Sequence, residues 1–150
     1  MYACIDLGSN SFHLLIGEWV DERIKILERC SEKVQLGEDV PPSGGSISPQ
    51  AFERGVVCLQ QFKALMDNYP LEQYWALGTN TFRIADNAAE LIHVSRGLGI
   101  DISIISGVQE AVLIYAGVIS SLPVNSERRL VIDIGGGSTE IIIGQSHVAR

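Results

Sequence analysis

Residues 6–17 read DLGSNSFHLLIG, and residues 133–144 read DIGGGSTEIIIG. The two stretches carry Asp, Gly, Ser and a closing Ile-Gly at identical internal spacing, and the positions between them are chemically alike. Each has an acid at the end of an apolar run, then a turn rich in Gly, Ser or Asn, then a second apolar run. This order predicts a strand, a tight turn and a second strand in both copies. The sequence therefore contains an internal repeat of two hairpins.

The composition is that of a globular protein with a sizeable core. The chain has 150 residues, of which 46% are hydrophobic and 19% charged, and its net charge is −7. The acidic balance argues against a broad electrostatic surface for nucleic acid or an anionic membrane. The three cysteines lack metal-site spacing, and the sequence shows no signal-peptide pattern and no apolar run of about 18 residues. We therefore predict a cytoplasmic protein with no nucleic-acid partner and no integral membrane segment.

Strand and helix patterns alternate between the two copies of the repeat. Apolar or alternating runs predict strands at 2–6, 12–19, 24–36, 74–77, 101–105, 130–134 and 140–143. Helical spacing predicts helices at 48–66, from 87 to 97 or 99, and at 106–119, with loops at 37–47 and 78–86. Three strands before the first helix predict an α/β fold whose mixed sheet contains an antiparallel meander.

Capping residues mark the predicted helix starts. Ser48 precedes a proline in the first helical turn, and Asn87 with Glu90 forms a start that resembles a capping box. Ser106 with Gln109 forms a second capping box. Each pattern predicts that a side chain accepts a hydrogen bond from the first turn of its helix.

The large apolar residues predict where the core lies. Trp19, Trp75 and the helical stripe at 52–66 are assigned to it. The helix at 106–119 is apolar nearly all round, so we expect it either to be deeply buried or to cover a partner domain.

The glycine-rich turns are suited to binding phosphate. Glycine lets the backbone approach a ligand closely and lets successive N–H groups point into one concavity. The candidate phosphate-binding residues of the turns are Gly8, Ser9, Asn10, Ser11, Gly135, Gly136, Gly137, Ser138 and Thr139. Asp6 and Asp133 would repel a phosphate and are better suited to bind Mg²⁺ or its waters. A single copy would be interpreted as an ordinary hairpin, but two copies at matched spacing favour phosphate binding.

The same residues resemble a known family. The two turns are similar to the paired phosphate-binding motifs of the exopolyphosphatase and guanosine pentaphosphate phosphatase (Ppx/GppA) family. GTNTFR at 78–83 is similar to its Thr-x-x-x-Arg loop, and ISGVQEA at 105–111 to its Ile-Ser-Gly-x-Glu-Glu-Ala motif, with Gln109 in place of the first Glu. The resemblance covers essentially the whole chain. It implies an α/β, ribonuclease H-like mixed sheet with helices on both faces, as in the actin, sugar-kinase and Hsp70 superfamily.

The repeat and the resemblance together predict two domains. If each hairpin opens a homologous domain, residues 1–125 form a ribonuclease H-like domain I, and residues 126–150 form the opening β-hairpin of a second domain. We therefore expect the chain to be the first part of a longer protein, which would be a homodimer. Because half of the cleft would be absent, we expect residues 1–150 alone to fold without releasing phosphate.

The resemblance also implies roles for individual side chains. Glu110 is implied as the general base that activates water, and Arg83 as a clamp on phosphate. Asp6, Asp133 and Glu140 are implied as ligands of Mg²⁺ or of its waters. Without the resemblance, Glu110 could serve the helix dipole, Arg83 could be a solvated loop residue, and Glu140 could face solvent.

The function implied is that of a phosphohydrolase. It would release terminal orthophosphate from inorganic polyphosphate by attack of water, with Mg²⁺ and without a covalent intermediate. Hydrolysis of guanosine pentaphosphate is the alternative within the family. Two further alternatives are a sugar or acetate kinase of the same superfamily, and a polyphosphate- or nucleotide-sensing module without turnover.

Overall fold

A computed structural model of the chain describes residues 1–21, 23–123 and 127–145. The strands are β1 (Tyr2–Leu7), β2 (Phe12–Val20), β3 (Arg23–Glu32), β4 (Gln73–Gly78), β5 (Ile102–Ile104), β6 (Arg128–Ile134) and β7 (Thr139–Gln145). The helices are α1 (Pro49–Met66), α2 (Asn80–Ile84), α3 (Ala88–Gly97) and α4 (Gly107–Ser120).

Five of the strands form one mixed sheet in the order β3-β2-β1-β4-β5. Strands β1, β2 and β3 pair antiparallel, whereas β1 with β4 and β4 with β5 pair parallel. Tight turns suffice for the antiparallel strands, and the parallel strands need the helical crossovers that α1 and α3 supply. Strands β6 and β7 form a separate antiparallel hairpin. The predicted α/β fold with a mixed sheet and a meander is confirmed.

Helices α1 and α3 cover one face of this sheet. Burial alternates along β1, where Ala3, Ile5 and Leu7 are buried and the residues between them are not. The buried side chains of α1 include Leu59 and Phe62, as the helical stripe predicted, and they join the same core. Each large apolar side chain removed from water in this way contributes about 1.5–3 kcal/mol. The core therefore fixes β1 and the turn that follows it.

The opposite face of the sheet carries two aromatic residues that the sequence analysis assigned to the core. Trp19 is 61% exposed and Trp75 is 47% exposed, so that assignment is wrong. Trp75 comes directly before the buried Ala76, and strand alternation turns its ring to the other face. There it stacks on Tyr2, with 6.3 Å between the ring centroids.

Two predicted element boundaries are also wrong. Strand β3 ends at Glu32, not at residue 36, because Gln35 adopts a positive φ of 52° and turns the chain back over the core. Val34 and Leu36 are still buried, which explains the apolar pattern. The predicted loop at 78–86 contains the short helix α2.

Two of the three predicted caps are confirmed. The Ser48 hydroxyl accepts a hydrogen bond from the Ala51 N–H at 3.4 Å, and Ser106 forms the capping box predicted for α4. Asn87 makes no capping bond. Its side-chain amide binds both backbone groups of Ile47, accepting from the N–H at 2.8 Å and donating to the C=O at 3.1 Å. The Asn87 side chain therefore bonds to Ile47, which is distant in sequence, and does not cap α3 as the local pattern predicted.

Helix α4 packs on the β6–β7 hairpin. A Cβ added at Gly144 of β7 would lie 2.5 Å from the Tyr115 ring, so the two elements touch closely. Ala111 is the buried residue of the helix, while Val108, at 76% exposure, faces solvent. The described chain therefore does not bury this helix, and its cover by a further domain stays a prediction. No helix of the described residues is long and apolar enough to cross a membrane.

The β6–β7 hairpin repeats the pattern of β1–β2 without its cover. One face of the hairpin carries large apolar residues that are all at least half exposed: Leu130, Ile132, Ile134, Ile141 and Ile143. The residues at the matching positions of β1 and β2 are all buried: Ala3, Ile5, Leu7, Leu14 and Ile16. The division into two domains stays a prediction, and this uncovered face is what a second core would use.

Candidate active site

The two copies of the repeat form the same turn. In the first, the Gly8 N–H donates to the Ser11 C=O at 3.1 Å. In the second, the Gly135 N–H donates to the Ser138 C=O at 3.0 Å. A Cβ at either glycine would lie only 3.0 or 3.2 Å from the same serine oxygen, which explains glycine at both positions. The predicted hairpins are confirmed.

The two turns lie against each other. A Cβ added at Gly136 would lie 2.7 Å from the Asn10 Cβ. One added at Gly137 would lie 2.5 Å from Asn80 Nδ2 and 2.7 Å from Ser9 Oγ. Side chains at these positions would push the turns apart. The run of glycines therefore allows the second turn to approach the first.

A cleft of about 300 Å³ opens between the turns. It is lined by Asp6, Gly8, Ser9, Asn10, Ser11, His13, Thr79, Asn80, Glu110, Asp133, Ile134, Gly135, Gly136, Gly137 and Ser138. Most of the predicted site residues thus come together. Thr139 lines a neighbouring cavity of about 410 Å³ that shares the second turn. Arg83 and Glu140 do not line the cleft: Arg83 contacts Glu110, and Glu140 lies across the hairpin from Asp133.

Glu110 enters the cleft from the first turn of α4. Arg83 Nη1 donates to Glu110 Oε2 at 2.9 Å and also to the Ile105 C=O at 2.9 Å. The side chains of Arg83 and Glu110 are only 21% and 14% exposed, so this ion pair is largely shielded from water. Arg83 lies on α2 and not in a loop, and its guanidinium group contacts Glu110.

The pKa of Glu110 is raised above its ordinary value. Loss of contact with water is the largest cause, and the negative charges of Glu140 and Asp6 add to it. The hydrogen bond and the positive charge of Arg83 oppose the increase without cancelling it. A carboxylate whose pKa is moved toward neutral pH is a stronger base, which suits proton abstraction.

The other carboxylates, Asp6, Asp133 and Glu140, form an acidic region beside Glu110. Burial raises the pKa of Asp6, and Asp133 raises it further, while its cross-strand partner His13 lowers it. Glu140 pairs across the hairpin with Asp133 and is 9% exposed, and its Oε2 atom is buried with no partner among the described residues. Such an orphaned anionic oxygen is costly unless a cation or a bound water satisfies it.

These carboxylates fit Mg²⁺ better than a metal held entirely by protein. No group of three His, Cys, Asp or Glu residues in the described chain is arranged to enclose a metal. Mg²⁺ usually keeps several waters and binds one or two carboxylates together with substrate phosphates. Asp6 and Asp133, which line the cleft, are the carboxylates that could take part in such a site, with Glu140 beside Asp133.

Several side chains that line or support the site lie outside the predicted set of site residues. Asn80 Nδ2 donates to the Gly137 C=O at 3.0 Å, and the buried Thr81 hydroxyl donates to Ser9 Oγ at 2.8 Å. Each of these side chains secures one turn. The motif at 78–83 contained both, but it was used only for Arg83. His13, the cross-strand partner of Asp6, also lines the cleft.

Comparison with known proteins agrees with this geometry. The model of the Ppx/GppA phosphatase family matches residues 15–150. The chain belongs to this family. Among Ppx/GppA relatives, a Haemophilus influenzae protein provisionally named an exopolyphosphatase is 43% identical over 143 residues, which cover 95% of this chain and 44% of that protein.

Solved structures give the same result. An exopolyphosphatase from Cytophaga hutchinsonii is 35% identical with a TM-score of 0.89, covering 96% of this chain and 46% of its own. A Ppx/GppA enzyme from Aquifex aeolicus is 33% identical with a TM-score of 0.83, covering 96% and 48%. The ethanolamine utilization protein EutJ from Carboxydothermus hydrogenoformans, at 16% identity and a TM-score of 0.53, shares the fold alone. The predicted ribonuclease H-like fold is confirmed, and the chain spans about half the length of its Ppx/GppA relatives.

One departure from the Ppx/GppA motifs has a structural explanation. Gln109 stands where the family pattern has the first of two glutamates. Its Oε1 accepts hydrogen bonds from the Ser106 N–H at 2.9 Å and the Ser106 hydroxyl at 3.0 Å. A glutamine can fill this capping role as well as a glutamate. The substitution therefore leaves Glu110 in place.

Proposed function

We propose that the full-length protein to which this chain belongs is a phosphohydrolase that releases terminal orthophosphate from inorganic polyphosphate. The observation that carries the proposal is the Glu110 carboxylate, held by Arg83 at 2.9 Å beside a cleft built from two matching turns. Relatives named exopolyphosphatase support polyphosphate as the substrate. Guanosine pentaphosphate, which ends in the same kind of phosphoanhydride, is the alternative.

The turns would bind the phosphoryl groups. The net charge of −7 offers no general attraction for an anion, so binding depends on local donors. Backbone N–H groups of a glycine-rich turn supply such donors, and the hydroxyls of Ser11 and Ser138 can add to them. Two turns that face one cleft can bind two successive phosphoryl groups of the substrate, or can bind a single phosphoryl group from opposite sides.

Mg²⁺ would be held by Asp6, Asp133 and Glu140, directly or through its waters. When bound, it supplies positive charge that neutralises the phosphate oxygens and the carboxylates around them. Two observations support this assignment: Oε2 of Glu140 is buried with no partner among the described residues, and the charge of Asp133 raises the pKa of Asp6. Without such charge, an acidic cleft would repel its substrate.

Glu110 would activate the attacking water. The Glu110 carboxylate accepts a proton from the water as the water oxygen attacks the terminal phosphorus. The bond from this phosphorus to the bridging oxygen breaks, and the bridging oxygen leaves with the shortened chain. Phosphoryl transfer asks the protein chiefly for positioning and charge neutralisation, so no covalent intermediate is needed. Arg83 would fix the direction of the carboxylate through its hydrogen bond to Glu110 Oε2.

The other part of the cleft would come from a second domain opened by β6–β7. The exposed isoleucines of this hairpin occupy the positions that are buried in β1–β2, which supports such a domain. Phosphate release is therefore proposed for the full-length protein and not for residues 1–150 alone.

The test is Mg²⁺-dependent phosphate release by the full-length protein and its Glu110→Gln variant, with long-chain polyphosphate and guanosine pentaphosphate assayed in parallel. Loss of a general base is expected to lower kcat by about 10²–10⁴-fold. Glu53→Gln, on an exposed face of α1, is the matched control and should match the wild type.

The outcomes separate the candidate functions. Faster release from guanosine pentaphosphate would assign the alternative substrate. Unchanged turnover in Glu110→Gln would refute the role of the base. A folded wild-type protein that releases phosphate from neither substrate would refute the hydrolase and favour the kinase or the sensing module.

A further inference from the structure

Arg54, on α1, holds the loop that follows β3. Its Nε donates to the Val34 C=O at 2.7 Å, and its Nη2 donates to the Gln35 C=O at 3.3 Å. The same Nη2 forms an ion pair with the Glu38 carboxylate. One planar guanidinium thus binds three acceptors spread over residues 34–38. We call this segment the clamped loop.

The clamped loop in turn holds the first phosphate-binding turn. The Gln35 N–H donates to the Asn10 C=O at 2.7 Å, and the Gly37 N–H donates to the Ser9 C=O at 3.0 Å. In a trans peptide the C=O and the following N–H point in opposite directions. Because both carbonyls point toward the clamped loop, the N–H groups of Asn10 and Ser11 point away from it.

That direction leads into the cleft. Asn10 and Ser11 both line it. A Cβ at Gly136 of the opposite turn would lie 3.2 Å from the Asn10 nitrogen, so this nitrogen is on the side of the second turn. Neither N–H donates to a backbone carbonyl in the described chain. Two parallel, unused N–H groups at this place can both reach one anionic oxygen.

The clamped loop needs an external support to keep this shape. Gln35 has a φ of 52°, a conformation that residues other than glycine rarely adopt. Gly37 lies so close to Thr81 that a Cβ would be 2.6 Å from its hydroxyl, and the loop is therefore seated against α2. Arg54 binds the carbonyl of the unfavourable residue and the carbonyl before it, which is the support required.

We propose that Arg54 is a positioning residue for phosphate binding: by holding the clamped loop it aims the N–H groups of Asn10 and Ser11 at a phosphoryl oxygen. The inference rests on the proposed function, since it assigns a phosphate to the cleft. Arg54 touches neither the substrate nor Glu110. It acts on the binding of phosphate and leaves proton transfer to Glu110 unchanged.

The test compares Arg54→Met and Arg54→Lys in the full-length protein. Methionine keeps the apolar stem and removes every donor. Loss of two aligned N–H bonds to an anion is expected to raise KM for polyphosphate, and the Kd for tripolyphosphate measured by calorimetry, by about 10–100-fold. Binding of this kind is shared by substrate and transition state, so kcat should stay within about threefold. The pH midpoint of kcat, set by Glu110, should not move.

Lysine and a second arginine serve as controls. An ammonium group cannot bind three acceptors at once as a planar guanidinium does, so Arg54→Lys should show a KM between those of the wild type and Arg54→Met. If Arg54→Met fails to fold, the KM of Arg54→Lys tests the inference in its place. Arg96 is the matched control: it is an exposed arginine of α3 that forms an ion pair with Asp101. Arg96→Met should keep the wild-type KM.

Each outcome has one meaning. Wild-type KM and Kd in folded Arg54→Met, or in Arg54→Lys where methionine does not fold, would overturn the inference, and so would a shifted pH midpoint. Tripolyphosphate binding that depends on Arg54, without turnover of either substrate by the wild type, would support the inference while refuting the proposed function. A wild type that neither binds tripolyphosphate nor releases phosphate from either substrate would refute both, whereas turnover without tripolyphosphate binding would refute the inference alone.

Discussion

Replacing Gly137 by alanine tests whether the contact between the two turns is required. The added Cβ would lie 2.5 Å from Asn80 Nδ2 and 2.7 Å from Ser9 Oγ. Both neighbours are held, because Asn80 donates to the Gly137 carbonyl and Ser9 accepts from Thr81. Neither can withdraw without losing a hydrogen bond. The second turn must therefore move by about 1 Å to restore ordinary van der Waals contact.

The expected cost follows from these contacts. Overpacking a fitted site costs about 1–3 kcal/mol. Loss of the hydrogen bond between Asn80 and Gly137 adds about 0.5–1.5 kcal/mol. We expect the free energy of unfolding to fall by about 2–4 kcal/mol. A displacement of about 1 Å in a binding turn is also expected to lower kcat/KM for polyphosphate by about 100-fold.

The assay is urea unfolding and phosphate release of the full-length protein, with Gly117→Ala as the control. Gly117 lies within α4, and within the described residues no atom outside its own stretch of helix lies within 4 Å of the Cβ that alanine would add. Alanine is the better helix former, so this variant should gain about 1 kcal/mol and keep its activity. Wild-type unfolding and kinetics in Gly137→Ala would show that the turns do not depend on their close contact.

Two further predictions concern charge. The pKa of Asp6 is raised in the folded protein above its ordinary value of 3.8. Between the unfolded-state and folded-state pKa values the folded protein therefore binds more protons than the unfolded chain, and its free energy of unfolding falls as pH rises through this interval. In urea unfolding across a pH series, Asp6→Asn should therefore lack that part of the fall and be more stable than the wild type at pH 7. An identical pH dependence in both proteins would contradict this. Chelation of Mg²⁺ should abolish phosphate release, and Glu140→Gln should raise the Mg²⁺ concentration for half-maximal rate by about 10–100-fold. An unchanged Mg²⁺ requirement would remove Glu140 from the metal site.

Features determined by neighbours in sequence were predictable. The hairpins of the repeat and the caps at Ser48 and Ser106 depend on groups within a few residues of one another. Periodicity also predicted the buried face of α1. For the site, spacing and resemblance together indicated the turns, Glu110 and the carboxylates around it.

Features determined by distant partners were not predictable in this way. Asn87 has a capping pattern, yet its side chain binds Ile47, 40 residues away. Trp75 has the character of a core residue, and only the placement of β4 in the sheet determines which face its ring occupies. Arg54 and Asn80 make supporting hydrogen bonds across 16 to 57 residues of sequence. No local pattern marks Arg54, and the motif that contains Asn80 does not show what its side chain binds.

The uncovered face of β6–β7 has a consequence for handling the protein. A two-stranded ribbon is only marginally stable in water, so this one depends on its contact with α4. Within the described chain the outer edge of each strand of the ribbon is unpaired, and the exposed apolar face described above lies between these two edges. Open edges beside exposed isoleucines are where separate chains pair and aggregate. Residues 1–150 expressed alone should therefore self-associate through this ribbon, and Ile132→Lys should keep them monomeric in size-exclusion chromatography.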